Sequence, residues 1–349
     1  MKETKFARGA TLPAADLAAG PRSVQAAAMK AAVYRRTGPP EVFEYADVPD
    51  PVCGPGDVLV QVEAISIEGG DTLNRAGGDM VDDPHIVGYQ CAGTIIEVGD
   101  DAAANGRSVG QKVVTTMTHG SHAELRAVPW IVSFVIPDDA DLVEAACVPI
   151  AFGTADDCLF EFGRLQAGET VLIQAGASGV GIAAIQLAKR AGATVLATAS
   201  SDEKLARIEH LGLDHGINYR DNDPVAAARQ LTGGAGVNLV VDAVGSTLEG
   251  SLQMLAHRGR CITVGNAGRD TRLIDSSLLM ADNLTLTGVF FGGEIFYPRV
   301  QEMIYGHLND VASGALAVIV DRTFPLADAA AAHAFVESRE AVGRVVLIP

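Results

Sequence analysis

The chain has 349 residues, 48% of them apolar, and a formal net charge of −17 at pH 7. That length exceeds what one hydrophobic core usually fills, so two domains are expected. The acidic balance argues against a nucleic-acid partner, which would be held through Lys and Arg clusters. The absence of a run of about 18 apolar residues without a charge or turn former argues against a membrane-spanning helix.

Residues 1–28 are rich in alanine and small polar residues and lack the continuous apolar stretch of a secretory signal, while Glu3 and Asp16 argue against a transit peptide. They are expected to be a poorly ordered extension before a fresh start at Met29. Five cysteines, Cys53, Cys91, Cys147, Cys158 and Cys261, are scattered without a C-x-x-C pair. They suggest neither a disulfide framework nor a zinc ribbon, and they fit a reducing cytoplasm.

From Met29 to about residue 135 short β-like runs follow one another, KAAVYR, VLVQVEAISI, GTIIEVG, KVVTTM and HAELRAV, separated by Gly, Pro and Asp. Antiparallel β structure with long loops is expected there. From about residue 155 apolar runs alternate with helix-length segments: TVLIQAG, GIAAIQLAKRAG, TVLATAS, DEKLARIEHLG, NLVVDAVG, LEGSLQMLAHRG and CITVGN. This alternation predicts a parallel sheet with helices on both faces. The closing LADAAAAHAFVESREAVGRVVLIP predicts a helix and then a strand, which periodicity alone assigns to neither domain.

TVLIQAGASGVGIAAIQLA places Gly176, Gly179 and Gly181 between an apolar strand and an amphipathic helix. Glycines there allow a tight turn, close approach of backbone N–H groups to a pyrophosphate and close helix–strand packing, with the phosphate at the positive helix end. The spacing is G-x-x-G-x-G, and its place at a strand-to-helix junction opening a βαβ unit points to dinucleotide binding. The second strand ends in Thr198-Ala199-Ser200-Ser201, without the carboxylate that usually meets an unphosphorylated ribose. Ser200 as N-cap with Glu203 at its third position would make a capping box. Lys204 in the first helical turn faces the unfavourable end of the dipole; a 2′-phosphate beside Ser200, Ser201 and Lys204 would explain it, and an exposed surface lysine is the plain alternative.

At this point the residues resemble a family, the medium-chain dehydrogenase/reductases, and within it the zinc-free quinone oxidoreductases that include zeta-crystallin. The resemblance spans Met29 to Pro349 and rests on MKAAVYRRTGPPEVFEYADVPDP, GDVLVQVEAISI, VGYQCAGTIIEVG, PIAFGTA, GASGVGIAAIQLAKRAGATVLATA, GVNLVVDAVG, RGRCITVGN and GRVVL. It implies an α/β fold: a GroES-like β domain from residues 29–152 and 318–349, a Rossmann domain from residues 153–317, and NADPH in the cleft between them. It carries cofactor contacts onto Ala177, Ser178, Gly179 and Val180, Ser200 and Lys204, Tyr219, Ser246, and Gly265, Asn266 and Ala267. Phe290, Phe291 and Gly292 fall near the nicotinamide, and Arg344 matches a basic position near the cofactor. The family's Asn-Pro-Val/Ile-Asp/Glu-Thr-Tyr run reads here Glu68-Gly69-Gly70-Asp71-Thr72-Leu73, so the role of its tyrosine does not carry over.

Zinc alcohol dehydrogenases of the same superfamily draw their catalytic ligands from a Cys before the Asp of the first pocket loop, a Gly-His-Glu block and a Cys before the nucleotide domain. Aligned on those blocks this chain offers Glu68, Tyr89 and Ile150; Ile150 cannot ligate and neutral Tyr89 substitutes poorly for imidazole. His85 and Cys91 flank the ligand position, and His119 and His122 stand without acidic or cysteine company. No metal is expected. Hydride transfer from NADPH to an electrophile needing little activation follows, with Tyr89, Thr154 and Asn266 as candidate donors to the acceptor oxygen. Asp71 is expected to orient the pocket loop or to accept from a cofactor hydroxyl. A quinone is the expected acceptor, an alkenal or alkenone the alternative, and a non-catalytic NADPH-binding protein the reading of a different class. A homodimer pairing edge strands near residues 283–291 is expected.

Overall fold

The computed structural model describes residues 28–270 and 273–349; the expected N-terminal extension, apart from Ala28, lies outside the described residues. The first eight strands are β1 (Ala28–Tyr34), β2 (Glu44–Pro49), β3 (Asp57–Ser66), β4 (His85–Ile86), β5 (Gln90–Val98), β6 (Lys112–Thr116), β7 (Leu125–Pro129) and β8 (Ser133–Val135). All of the β-like runs of the N-terminal half are among them. Their pairings with one another are antiparallel, as expected of runs that alternate inward and outward residues.

The alternating half supplies β9 (Thr170–Ile173), β10 (Thr194–Ala199), β11 (His215–Asn218), β12 (Val237–Asp242), β13 (Leu255–Thr263) and β14 (Thr285–Gly288). They form one six-stranded sheet in the order β11-β10-β9-β12-β13-β14, every pair parallel. Val171, Leu172, Val240 and Val241 at its centre are buried, which explains why these strands are apolar throughout rather than alternating. One boundary differs from the sequence pattern. LEGSLQMLAHRG divides into a helix, Leu248–Gln253, and the start of β13, because Leu255 pairs with Val237 and tertiary pairing outweighs helical spacing.

Two further strands close the chain, β15 (Val320–Pro325) and β16 (Arg344–Ile348), with the helix Ala329–Ser338 between them. The open question of the last strand is settled by register: β16 pairs antiparallel with β3, Val346 opposite Ser66, and so extends the first domain's sheet. The largest buried cluster runs from Val60 and Phe134 to Val171 and Ile185, and the helices Pro149–Asp156 and Gly179–Arg190 pack together across it.

Candidate active site

Strand order in the parallel sheet reverses between β9 and β12. Ligands of such sheets bind in the crevice beyond the carboxyl ends of the strands at that reversal. There the glycine loop enters the helix Gly179–Arg190, with Ser178 as N-cap, its Oγ accepting from Gly181 N–H at 3.1 Å. Gly179 and Val180, the first two helical residues, have backbone N–H groups without a partner among the described residues. Two free donors at the positive end of a 12-residue helix suit a phosphate. A Cβ on Gly176 would lie 2.6 Å from Ala197 Cβ, one on Gly181 would lie 2.7 Å from Gly176 Cα, and one on Gly179 would strike the Arg344 guanidinium. The loop is therefore glycine-bearing for packing on three sides. Ala177 O accepts from Gly343 N–H at 2.8 Å, which ties the loop to the approach of β16.

At the end of β10 the capping expectation is displaced by one residue. Ser201 caps the helix Asp202–Ile208, its Oγ accepting from Lys204 N–H at 3.3 Å, so Ser200 is not the cap. The Ser200 hydroxyl is left without a hydrogen bond among the described residues. Lys204 Nζ reaches the main chain beyond the helix Ala329–Ser338, donating to Arg339 O and, at 3.5 Å, to Ala341 O. Tyr219 stands beyond β11, 45% exposed, with its N–H bonded to Ala199 O at 3.1 Å. Ser200, Ser201, Lys204 and Tyr219 thus gather at the ends of β10 and β11.

Beneath the crevice runs a buried polar chain that the sequence reading missed. Asp242, at the end of β12, accepts from Val244 and Gly245 N–H at 2.9 Å each and from Ser251 Oγ at 2.7 Å. Ser251 accepts from Gln174, Gln174 accepts from Thr198, and Thr198 accepts from Ala175 N–H in the glycine loop. The only signal in the sequence is a polar residue closing each apolar run, TVLIQ and NLVVD. This chain fixes the glycine loop and the turn of Ser246 in one frame. Gly265, Asn266 and Ala267 lie across from that turn, with Ala267 N–H bonded to Ala243 O at 3.2 Å. Asn266 Oδ1 is buried with no hydrogen-bond partner, the kind of orphan a bound ligand satisfies. Phe291 is buried, and a Cβ on Gly153 would collide with its ring; Phe290 is 73% exposed, and a Cβ on Gly292 would lie 2.8 Å from its ring. Free amides at a helix terminus and an orphaned amide oxygen in the loop after β13 are groups a dinucleotide would satisfy.

A second buried polar cluster is built on the helix Gly69–Gly77. Asp71 is fully buried; Oδ2 accepts from Glu68 N–H at 2.8 Å and Oδ1 from Tyr89 N–H at 3.1 Å. Burial pushes its carboxyl up to about 8, against the pull of those two donors. Through these two bonds Asp71 ties the start of the helix to the main chain of Tyr89. Glu68 is buried too, paired with Arg344 through both oxygens and accepting from Gln90 Nε2 at 2.5 Å. Arg344 also donates to Ser66 Oγ and Ile67 O, so the structure brings it under the glycine loop but commits its donors inside the protein. Gln90 Oε1 in turn accepts from Ile150 N–H at 3.0 Å.

Tyr89 is half-buried, and burial pushes its hydroxyl up to about 12, so it keeps its proton near neutrality. Thr154 is buried in the helix Pro149–Asp156, with no hydrogen bond to its hydroxyl among the described residues. Arg269 ties the loop after Asn266 to the helix Gly69–Gly77, donating to Thr72 Oγ1 at 3.1 Å, and to Glu337 at 2.7 Å. The flanking pair stays apart from this site: His85 Nδ1 accepts from Val81 N–H and Cys91 Sγ meets Thr115 Oγ1. His122 instead pairs with His333, Nε2 to Nε2 at 3.0 Å, in a separate buried cluster.

Two family models match, an alcohol dehydrogenase GroES-like domain over residues 54–137 and a zinc-binding dehydrogenase over residues 179–305. A 2-haloacrylate reductase of Burkholderia sp is 32% identical over 337 residues, covering 91% of this chain and 98% of that protein. A quinone oxidoreductase of Pseudomonas aeruginosa is 31% identical over 317 residues, covering 89% and 97%. Among solved structures, the Escherichia coli quinone oxidoreductase complexed with NADPH superimposes with a TM-score of 0.86 at 27% identity, covering 92% of this chain and 100% of that one. The chain belongs to the medium-chain dehydrogenase/reductase superfamily, with the GroES-like and Rossmann domains of that fold. It is an oxidoreductase.

Proposed function

We propose that the protein transfers hydride from NADPH to a conjugated electrophile, a quinone in the first instance, without a catalytic metal. The observation that carries this reading is the state of the three positions aligned with zinc ligands. Glu68 has both oxygens engaged by Arg344 and Gln90, Tyr89 offers a neutral phenol, and Ile150 has no donor atom in its side chain. A Lewis acid is what such a pocket lacks, and a quinone or enone is the class of acceptor that needs one least.

The bound cofactor supplies the hydride, and the protein supplies placement and the proton. Gly179 and Val180 N–H groups would hold the pyrophosphate, Asn266 Oδ1 would accept from the cofactor, and Ser200, Ser201, Lys204 and Tyr219 would hold the 2′-phosphate. To hold that phosphate, the Lys204 ammonium would have to exchange the carbonyls of Arg339 and Ala341 for phosphate oxygens. Phe290, Phe291 and Gly292 would line the nicotinamide side, and Tyr89 would donate to the acceptor oxygen where negative charge develops. The NADPH-bound quinone oxidoreductase and the 2-haloacrylate reductase support cofactor and acceptor class alike, since a haloacrylate also carries a conjugated double bond.

The alternative, an alkenal or alkenone reductase, shares this site and differs only in the acceptor. Loss of NADPH absorbance against quinones, enones, aldehydes and ketones separates them. Quinone turnover exceeding enone turnover is the expected result; enone turnover alone would move the assignment to the alternative, and turnover of aldehydes or ketones alone would overturn both. A homodimer through the exposed edge of β14 and a cytoplasmic location complete the proposal. No helix among the described residues is long and apolar enough to cross a membrane.

A further inference from the structure

Tyr89 lies across a helix shaped to receive it. A Cβ on Gly70 would stand 2.7 Å from Tyr89 Oη and collide with its ring, so the ring rests on the helix surface where a side chain would otherwise be. Asn74 follows four residues later, on the same helical face one turn on, and its Nδ2 donates to Tyr89 Oη at 3.1 Å. A phenol has one hydrogen and two oxygen lone pairs. The bond from Asn74 uses a lone pair and leaves the hydrogen free. Among the described residues no hydrogen bond runs from Tyr89 Oη to an acceptor; the Asp71 oxygens accept from Glu68 N–H and Tyr89's own N–H.

We propose that Asn74 is a positioning residue that fixes the Tyr89 oxygen as an acceptor and thereby points the phenol's own proton at the substrate. The inference rests on the reading of Tyr89 as proton donor and deepens it. As hydride reaches the acceptor, the Oη–H bond of Tyr89 breaks, an O–H bond forms on the acceptor oxygen, and water returns a proton to the phenolate. The N–H of Asn74 stabilises that phenolate while it lasts, opposing the effect of burial on Tyr89. A hydroxyl without such an anchor would rotate among orientations, and only one of them serves the reaction.

The test is Asn74→Asp, nearly isosteric but, when ionised, able only to accept. The carboxylate would draw the Tyr89 proton toward itself and away from the substrate. The expected result is a loss in kcat on the order of a hundredfold with the KM for NADPH unchanged. Activity should recover as pH is lowered through the new carboxyl's pKa, because the protonated acid can again donate. Asp71, Glu68 and Tyr34 also face Tyr89. They are common to parent and variant, so the difference between the two pH profiles isolates position 74.

Tyr89→Phe should be comparably slow, and adding Asn74→Asp to it should change nothing further. In the cofactor-free protein, the Raman doublet of tyrosine, taken as the difference from Tyr89→Phe, should report Tyr89 as an acceptor in the parent and as a donor in Asn74→Asp. A parental rate for Asn74→Asp beside a slow Tyr89→Phe would overturn the role of Asn74 alone. So would equal losses from Asn74→Asp in the presence and absence of the Tyr89 hydroxyl. A parental rate for Tyr89→Phe would overturn the donor reading together with this one.

Discussion

Replacing Arg344 by methionine is expected to destabilise the protein by about 3–5 kcal/mol, the cost of breaking a buried ion pair from one side; burial already pushes the Glu68 carboxyl up, and Arg344 is the main group opposing it. The pair is almost wholly buried, with side-chain exposures of 8% for Arg344 and 6% for Glu68. Burial works against the Arg344 cation, and Glu68 more than offsets it, so the guanidinium stays charged. Removing one partner removes this compensation. Removing both should restore most of the loss, since well-packed apolar residues often replace a buried ion pair at little cost. Urea unfolding of Arg344→Met and of Glu68→Leu with Arg344→Met measures the difference. A single variant within about 1 kcal/mol of the parent would show that the pair contributes little to the frame beneath the glycine loop.

The second large effect is loss of stability in acid. His122 and His333 are buried with their Nε2 atoms 3.0 Å apart, and Phe43 packs on both rings. Burial pushes His122 down to about 3, with Arg126 adding to it, and pushes His333 well below the usual histidine range, helped by His122 and Arg75. Both histidines stay neutral in the folded state, whereas in the unfolded chain each takes a proton near about pH 6.5. The unfolded state therefore binds more protons below that point. Their contribution to stability is complete above about pH 6.5 and falls as pH drops toward 3, by about 1.4 kcal/mol per pH unit for each histidine. Unfolding free energies measured across that range should show this limb, and it should flatten when His122 becomes Asn and His333 becomes Leu. An unchanged slope in the double variant would assign acid denaturation to the carboxylates instead.

Local features of the sequence carried the fold. The glycine loop lies at the strand-to-helix junction where it was expected, because glycine spacing, apolar run and helix periodicity are all read within about twenty residues. Features fixed by distant partners were not legible. Lys204 sits in a helical turn that predicts a phosphate contact, yet its ammonium is held by carbonyls 135 and 137 residues away. Arg344 reads as a cofactor-facing cation, and Glu68, 276 residues earlier, claims it. The cap at Ser201 rather than Ser200 is a different kind of miss: two adjacent serines offer the same hydroxyl, and only the backbone turn selects between them. The Asp242–Ser251–Gln174–Thr198 chain was hidden because each member looks like an ordinary strand-end polar residue when read alone. Asn74 was hidden in the same way, four residues beyond a glycine whose purpose is visible only with Tyr89 lying on it.

Whether hydride transfer in this protein is independent of metal is decided by one rate. Protein dialysed against a strong zinc chelator should reduce a quinone with NADPH at the same kcat as untreated protein, and added zinc should not change it. A loss of turnover on chelation that zinc restores would contradict the account, and would require Glu68 to leave Arg344 for a metal.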